Sequence, residues 1–378
     1  MEGESGGQID RLLQEMVAGA VADGASDVHI EPQEDGSRIR FRIDGRLRTV
    51  RELARELHGA LLLRLKILSN IPVDCPQLPQ DGKWTFANGE ERRDIRVSLV
   101  PFSRGEGAVL RILMGFTLPP SLGELGFDES TAAQLTAAVR GPDGLLLLTG
   151  PTGCGKSTTV HALLAGLNDG SRKIITVEDP VEYAIDGISS VQVNGARGLS
   201  FASALRSVLR QSPNVLFVGE IRDEETAAVA IQAALTGHFV CSTLHCPDAA
   251  GAIPRLMELK IPLHLIRAVL RGVLSQRLVR CLCERCRQPH GGGLRDLLGR
   301  ESESFRPVGC DRCGHSGYRG QTAIYEWLPL NSEKTDGNFL EELPEKIAIS
   351  LRECAMGKVA AAVTSPEEVY AATGFPFR

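Results

Sequence analysis

The sequence predicts an α/β protein in which a mostly parallel sheet, covered by helices, follows a smaller α+β domain and precedes a cysteine-bearing helical region. The first observation is that short apolar runs alternate with helical patterns from about residue 121, which is typical of parallel sheets. The second is that the apolar run at 145–149 leads into a glycine-rich turn and then a helical pattern. We therefore divide the chain into residues 1–116, a linker at 117–124, an α/β domain at 125–275 and a final region at 276–378.

The first 116 residues predict an α+β domain. Around Asp44-Gly45, apolar residues alternate with arginines on both sides, which predicts a β-hairpin at 37–50 with a tight turn. Helical periodicity and alternating patterns indicate the other elements. These are helices at 8–21 and 52–69 and strands at 83–86, 94–99 and 108–113.

The composition limits the function. Apolar residues make up 43% of the 378 residues, enough for a large core, and the formal net charge is −5. An acidic chain does not favour nucleic-acid binding, so no specific nucleic-acid partner is expected. No apolar run approaches the roughly 20 residues of a membrane-spanning helix, and the acidic N-terminus is unlike a signal peptide. We expect a cytoplasmic protein whose contact with a membrane is peripheral.

The turn after the run at 145–149 fits the phosphate-binding pattern G-x-x-x-x-G-K-[ST]. Its glycines allow backbone N–H groups to surround phosphate oxygens, and the following helix N-terminus adds partial positive charge. Lys156 is expected to reach the β- and γ-phosphates of ATP, and Ser157 to ligate Mg²⁺. The alternative, a glycine-rich turn with an exposed lysine, is disfavoured by the flanking strand and helix patterns. The predicted nucleotide-binding residues are Gly150, Pro151, Thr152, Gly153, Cys154, Gly155, Lys156, Ser157 and Thr158.

Further apolar runs at 174–177, 215–219 and 239–243 predict neighbouring strands. Glu220 follows the second of these runs. A carboxylate at the end of such a strand holds Mg²⁺ or polarises water in many nucleotide-binding α/β folds. We therefore predict Glu220 to be a magnesium-associated catalytic residue, with a solvated strand-end glutamate as the alternative.

Polar residues also follow or flank the other two runs. Glu178, Asp179 and Glu182 follow the run at 174–177, and one of them is a candidate to orient the attacking water. The alternative is a solvated acidic turn. His238 and His245 flank the run at 239–243, either as sensors of nucleotide state or as ordinary strand-end histidines.

Two cysteine pairs lie in the final region. They are Cys283-x-x-Cys286 and Cys310-x-x-Cys313, separated by 23 residues. Each pair can bind one edge of a tetrahedral Zn²⁺, and four thiolates complete a structural site. We predict a zinc site, with a redox pair or a metal-free cluster as alternatives.

Taken in order, these motifs resemble the secretion ATPases that drive type II secretion and type IV pilus assembly (the GspE/PilB type). The resemblance covers nearly the whole chain, from residue 24 to residue 369. It implies a RecA-like P-loop ATPase domain preceded by a PAS-like domain. The motifs that carry it are Gly24-Ala-Ser-Asp-Val-His-Ile-Glu-Pro32, Leu78-Pro-Gln-Asp-Gly82, Asp94-Ile-Arg-Val-Ser98, the phosphate loop, Val177-Glu-Asp-Pro-Val-Glu-Tyr183, Val218-Gly-Glu-Ile-Arg-Asp223 and Leu235 to His245.

The resemblance implies roles that the residue pattern alone does not give. Glu182 would be the general base, with Glu178 as second choice, and His238 belongs to the family's histidine box. Arg96 and Arg111 correspond to the family's arginine fingers. The residue pattern alone indicates only that they are ordinary strand residues. Arginine fingers stabilise transition-state charge.

The resemblance also implies an assembly: a homo-hexamer acting on an inner-membrane platform protein, with a membrane-anchored cytoplasmic adaptor as a further partner. Two other functions are kept open, a nucleotide-binding scaffold with little hydrolysis and a DNA-uptake or translocation ATPase. The scaffold is suggested by Ser212 and Asn214, which stand where the family usually has Asp. The family's extra N-terminal domain is expected to be absent.

Overall fold

The computed structural model describes residues 2–75, 77–89, 91–113, 118–290, 294–295, 301–330 and 339–375. The chain divides into two compact units, Met1–Phe116 and Thr117–Arg378. Among the helices within the described residues, none combines the length and the apolar character needed to cross a bilayer.

The first unit is a six-stranded antiparallel sheet with two helices. Its elements are α1 (Glu2–Ala22), β1 (Ala25–Gln33), β2 (Gly36–Ile43), β3 (Arg46–Ala54), α2 (Arg55–Leu68), β4 (Gln80–Asn88), β5 (Glu91–Phe102) and β6 (Gly105–Ile112). The strands lie in the order β3-β2-β1-β6-β5-β4, so β1 and β6 are central.

The helices and one face of this sheet share a core. Leu13 of α1 and Leu65 of α2 are buried in one cluster with Ile95 and Val97 of β5. Successive side chains of a strand point to opposite faces, so Arg96 lies on the other face. The sheet therefore has one apolar face covered by helices and one polar face.

The predicted hairpin is confirmed, and its turn residues Asp44 and Gly45 have φ values of 48° and 75°. Positive φ at both positions is the requirement of a type I′ turn. The predicted helix at 52–69 begins only at Arg55, because Glu52 to Ala54 pair with β2 as the end of β3. The central strand β1 was not predicted as a strand from the residue pattern.

The second unit contains a seven-stranded sheet covered by helices on both faces. The seven strands of this sheet are β7 (Gly144–Thr149), β8 (Ile174–Glu178), β9 (Ile188–Gln192), β10 (Val215–Val218), β11 (Phe239–Leu244), β12 (Leu270–Leu282) and β17 (Tyr318–Pro329). Two separate short pairs are formed by β13 (Gln288–Pro289) with β16 (Phe305–Arg306) and by β14 (Leu294–Arg295) with β15 (Glu301–Ser302). The α-helices of the second unit are α3 (Glu129–Val139), α4 (Lys156–Leu167), α5 (Phe201–Val208), α6 (Glu224–Leu235), α7 (Ala252–Glu258), α8 (Leu263–Val269), α9 (Phe339–Glu342), α10 (Leu351–Ala360) and α11 (Pro366–Thr373). Short 3₁₀ helices span Gly195–Arg197, Leu209–Gln211, Asp311–Cys313 and Leu343–Lys346.

The large sheet has the strand order β17-β12-β7-β11-β10-β8-β9. Every neighbouring pair is parallel except β12 and β17, which form a long antiparallel pair. All residues of β7, β8, β10 and β11 are buried, as expected for parallel strands covered on both faces. The predicted α/β fold class is confirmed.

The predicted division between residues 275 and 276 falls inside β12. β12 pairs with β7 at its start and with β17 along its length, so residues after 275 complete the large sheet. The cysteine motifs suggested a separate module at 276–378, but the structure places this region within the second unit.

Candidate nucleotide site and metal centre

The predicted phosphate-binding loop, residues 150–158, joins the carboxyl end of β7 to the start of α4. Gly150 has a φ of 138°, and a Cβ at this position would lie 2.4 Å from the Gln276 carbonyl oxygen and 2.6 Å from the Cys154 sulfur. A side chain at position 150 would therefore displace the backbone of β12. Gly155, with a φ of 86°, is the residue from which α4 begins. Glycine is thus required at both points of the turn.

The loop offers the groups that a phosphate needs. Gly155 has no side chain to cap α4, so the N–H groups of the first helical turn remain for an anion. Lys156 is buried, and its Nζ donates to the carbonyl oxygens of Gly150 at 2.8 Å and Pro151 at 2.9 Å. Burial raises the pKa of the Cys154 thiol, which fills space as a small apolar group.

Gln276, on β12, supports the loop from the neighbouring strand and was not predicted from the sequence. Its Nε2 donates to the Cys154 carbonyl oxygen at 2.8 Å, and its Oε1 accepts from the Thr159 hydroxyl at 2.9 Å. Both Gln276 and Thr159 are buried. One side chain therefore joins the phosphate loop to the helix that follows it.

Glu220 lies at the same edge of the sheet as the loop. Val218, at the end of β10, is level with Ser242 in β11, and Ser242 is level with Leu147 in β7. β10 is two strands away from β7, a lateral distance of about 10 Å. Because the carboxyl ends of parallel strands meet at one edge, Glu220 follows β10 where the loop follows β7.

Two basic side chains hold the Glu220 carboxylate. Arg222 pairs with Oε1, and Nε2 of His245 lies 3.4 Å from Oε2. The hydrogen bond and charge of Glu220 raise the pKa of Arg222. The Glu220 side chain is only 13% exposed, so the carboxylate is held beside the loop instead of being freely solvated.

A buried pair connects the acidic segment after β8 to α4. His161 Nδ1 donates to the Ser157 carbonyl oxygen at 2.8 Å, and its Nε2 lies 3.3 Å from Glu178 Oε1. Burial acts to lower the pKa of His161, but the hydrogen bond and charge of Glu178 outweigh it, and the pKa is raised. Both side chains are almost fully buried. Glu178 is therefore engaged in a structural contact.

Glu182, the predicted general base, lies on the exposed part of the same segment. The next residue, Tyr183, is buried, and its ring lies 4.8 Å from that of His161 between centroids. The segment that carries Glu182 is thus packed against α4.

The structure does not bring His238, a predicted catalytic residue, to this edge. It precedes Phe239, which pairs with the first residue of β7, whereas the loop follows the last. Six strand residues separate these edges by about 20 Å. His238 Nδ1 donates to the Ala233 carbonyl oxygen at 3.0 Å, near the end of α6. His245, at the other end of β11, is the histidine that reaches Glu220.

Asn214 also lies at the edge opposite the loop. Its Oδ1 accepts from the backbone N–H of Lys173 at 2.8 Å, and Ser212 adopts a φ of 50° in the preceding turn. The amide of Asn214 therefore makes the local contact that a carboxylate would make. Asn214 therefore lies away from the edge that carries the phosphate loop and Glu220.

Arg96 and Arg111 belong to the first unit. They lie directly opposite one another on β5 and β6. Both line a cavity of about 600 Å³ on the polar face of the sheet, together with Lys83, Ser98 and one acidic residue, Asp81. Three basic residues outnumber this one acid, and an excess of positive charge attracts an anion.

The four predicted metal ligands converge at one end of the β12–β17 pair. Cys283 follows β12, Cys310 precedes the 3₁₀ turn before β17, and Cys313 is the last residue of that turn. All four sulfurs lie within 4.8 Å of one another. The Sγ separations are 3.8 Å for Cys283–Cys310, 3.9 Å for Cys286–Cys313 and 3.8 Å for Cys310–Cys313. A tetrahedral zinc with Zn–S bonds of about 2.3 Å needs edges of about 3.8 Å, so the cysteines fit this ion.

Backbone donors support thiolates in this cluster. Cys313 Sγ accepts from the N–H groups of Cys310 and Gly317, each at 3.2 Å, and Cys286 Sγ accepts from Gly309 at 3.3 Å. Although burial opposes ionisation, these donors help to lower the pKa of Cys313 to about 6, whereas burial raises the pKa of the neighbouring Cys286 to about 11. N–H donors to sulfur are the usual second layer of a thiolate metal site.

The phosphate loop on β7, with Glu220 at the same edge two strands away, defines the second unit as a RecA-like P-loop ATPase domain. Solved structures share the fold. The X-ray structure of the ATPase DotB from Legionella pneumophila has a TM-score of 0.72 and 23% identity, covering 95% of this chain and 94% of DotB. The crystal structure of the pilus retraction motor PilT with bound ADP has a TM-score of 0.60 and 24% identity, covering 96% of this chain and 97% of PilT.

Sequence comparison identifies the family. The profile described as type II/IV secretion system protein matches residues 2–371. Type II secretion system protein E of Dickeya dadantii is 42% identical over 384 aligned positions, which cover 99% of this chain and 77% of the relative. The type II secretion system ATPase E of Vibrio cholerae is 41% identical over 386 positions, with the same coverage. The chain therefore belongs to the type II/IV secretion system protein family, a family of secretion ATPases, and the predicted resemblance is confirmed.

Proposed function

We propose that this protein is a Mg²⁺-dependent ATPase motor that hydrolyses ATP to ADP and phosphate and uses the reaction to drive type II secretion or pilus assembly. The observation that carries the proposal is the phosphate loop with the held carboxylate of Glu220 at the same edge of the sheet. Membership of a secretion ATPase family supports the coupling to protein translocation.

The loop residues bind the triphosphate. The first N–H groups of α4 and the ammonium of Lys156 neutralise phosphate charge, and Lys156 exchanges its carbonyl contacts in the loop for phosphate oxygens. Ser157 and Glu220 are the residues that would hold Mg²⁺, which when bound polarises the phosphate oxygens and neutralises developing charge.

Glu182 is the proposed general base that accepts the proton of the attacking water. Glu178, the second candidate, is almost fully buried and bonded to His161, so its carboxylate is not available to water. We assign Glu178 to positioning, since it ties the acidic segment to α4. Glu182 lies four residues further on, on the exposed part of that segment.

Arg96 and Arg111 are proposed as arginine fingers that contact the phosphates as charge develops. Their adjacent positions on a polar, anion-suited face support this role. An arginine in such a role contributes about 10³–10⁵ in rate.

The four cysteines are proposed to bind one structural Zn²⁺. The near-tetrahedral sulfur separations and the N–H donors to sulfur support this assignment. Four thiolate ligands leave no open coordination position, so the ion would hold the end of the β12–β17 pair and take no part in catalysis. Elemental analysis of freshly purified protein is expected to find one zinc per chain, and metal-free, folded protein would refute the assignment.

As a motor, the protein is proposed to act as a homo-hexamer in the cytoplasm, peripherally associated with the inner membrane through a platform protein and an adaptor. Light scattering of the protein with MgATP, with turnover measured across the same concentrations, tests the hexamer. Turnover per chain is expected to rise with the hexamer fraction. Equal turnover in monomer and hexamer fractions would contradict it.

Steady-state ATP turnover tests the catalytic assignment. Lys156→Ala and Glu220→Gln are each expected to lower kcat by at least about 100-fold, because each removes a charge aimed at the reacting phosphates or Mg²⁺. Lys173→Ala, which removes a lysine from the opposite edge of the sheet, is the control and should turn over normally. Wild-type turnover no faster than Glu220→Gln would favour the nucleotide-binding scaffold instead.

A further inference from the structure

Asp27 lies on β1 with both carboxylate oxygens engaged. Oδ1 accepts a hydrogen bond from Arg111 Nε at 2.9 Å. Oδ2 accepts from the Ser26 hydroxyl at 2.8 Å and lies 3.4 Å from Arg42 Nε. The Asp27 side chain is only 6% exposed, and a carboxylate this buried requires paired charges. The two arginines provide them from the strands on either side.

The contact with Asp27 restrains Arg111 without using its outer end. The Arg111 side chain is 67% exposed, and an unrestrained arginine loses rotamer entropy on binding. The bond to Asp27 is made through Nε, so the two terminal nitrogens remain for another acceptor. Within the described part of the chain, neither of them has a recorded partner.

The strand register shows which charges set the orientation of Arg111. Lys83, Arg96 and Arg111 lie side by side on β4, β5 and β6, and Asp27 is opposite Arg111 on β1. Repulsion from Arg96 acts to push the Arg111 guanidinium towards β1. Asp27 attracts it from that side, so both charges favour the same orientation of Arg111.

We propose that Asp27 is a positioning residue that holds Arg111 in the orientation needed to contact the phosphates of ATP. Asp27 itself touches neither substrate nor metal, and its effect on the reaction passes through Arg111. The inference rests on the proposed role of Arg111 as an arginine finger.

Asp27→Asn, measured in the full chain with MgATP, tests the inference. The amide keeps the shape of the carboxylate but loses its charge, so Arg111 is held less firmly. We expect kcat to fall by about 10- to 100-fold, because small misplacements of a catalytic group have effects of this size. KM should change by less than about threefold, since Arg111 acts in the transition state more than in ground-state binding.

Two matched variants make the result specific. Glu31→Gln removes a carboxylate from the same strand and face as Asp27, where it pairs with Arg40 of β2. This variant should leave kcat and KM unchanged. In the double variant Asp27→Asn with Arg111→Ala, kcat should equal that of Arg111→Ala alone, because Asp27 acts through that side chain. A merely structural role of Asp27 would give additive losses and a similar effect for Glu31→Gln.

The outcomes separate the two proposals. If Arg111→Ala slows turnover and Asp27→Asn does not, the positioning role is overturned and the arginine finger stands. If Arg111→Ala leaves turnover unchanged, the arginine finger fails and the positioning role fails with it.

Should Asp27→Asn not fold, Ser26→Ala replaces it. That variant removes only the hydroxyl donor to Oδ2, and kcat should then fall by about fivefold. Normal turnover of Ser26→Ala would then overturn the inference.

Discussion

Replacing Gln276 with alanine should loosen the phosphate loop from β12. The amide of Gln276 donates to the Cys154 carbonyl oxygen and accepts from the Thr159 hydroxyl, so it joins the loop to α4. Alanine can make neither bond. The loop would keep its glycines and Lys156, but it would lose the contact that fixes its position on the sheet.

The cost can be worked out from these contacts. Each hydrogen bond contributes about 1 kcal/mol, and a buried polar group left without a partner costs about 1–3 kcal/mol. Gln276 is 1% exposed and Thr159 is 0% exposed, so water replaces the lost bonds poorly. We expect the free energy of unfolding of the second unit to fall by about 3 kcal/mol. At about 2–4 °C per kcal/mol, the melting temperature should fall by roughly 6–12 °C.

Thermal unfolding with and without saturating MgATP is the assay. Beyond the fall in melting temperature, the rise induced by ATP should shrink, because part of the binding energy is then used to order the loop. Gln134→Ala is the control: it removes the acceptor of the Trp327 indole N–H at 2.9 Å, away from the loop. It should leave the ATP-induced rise intact.

Two results would refute the reasoning. A melting temperature within error of the wild type would mean that the two bonds contribute nothing. A lower melting temperature with an unchanged ATP-induced rise would mean that Gln276 stabilises the core but does not organise the loop.

Two further predictions concern the opposite edge of the sheet and the cysteine cluster. Asn214→Asp should change kcat by less than about twofold, because residue 214 contacts Lys173 at the edge away from the loop; a tenfold change in turnover would show that this position matters to catalysis. Cys310→Ser should abolish zinc binding and increase proteolysis near the cysteines, while MgATP binding stays within about threefold of wild type; elemental analysis, limited proteolysis and nucleotide titration check these outcomes.

Much of the second unit could be predicted from sequence because its signals are local. The strand β7 is a continuous apolar run, and the loop that follows is defined by glycines whose positive φ values the pattern requires. The cysteine pairs can likewise be recognised from their spacing in the sequence. In the first unit, the Asp44-Gly45 turn fixes the hairpin for the same reason.

The features that were missed depend on pairing between distant strands. Gln276 is 122 residues from Cys154 in sequence, and nothing near it marks it as a loop contact. Asp27 lies on β1, whose short alternation of Val28 and Ile30 with polar residues is a strand signal that was overlooked, and its role depends on Arg111 of the neighbouring strand. The roles of the two histidines could have been told apart from the sequence. Because β11 runs parallel to β7, His245, which follows β11, lies at the same edge as the loop, whereas His238, which precedes β11, lies at the opposite edge.

The same long-range pairing connects the loop to the cysteine cluster through β12. Ser275 is level with Thr149 at the end of β7, and Gln276 follows it, whereas Leu282 precedes the first cysteine ligand. Six residues of strand span about 20 Å between these points. Along that length β12 stays in register with β17 from Gly272 to Arg280, so disorder that begins at the cysteines meets a continuous ladder of backbone bonds before it reaches Gln276. Loss of zinc should therefore leave the phosphate loop ordered, whereas loss of Gln276 should disturb the loop and leave the cysteine cluster intact.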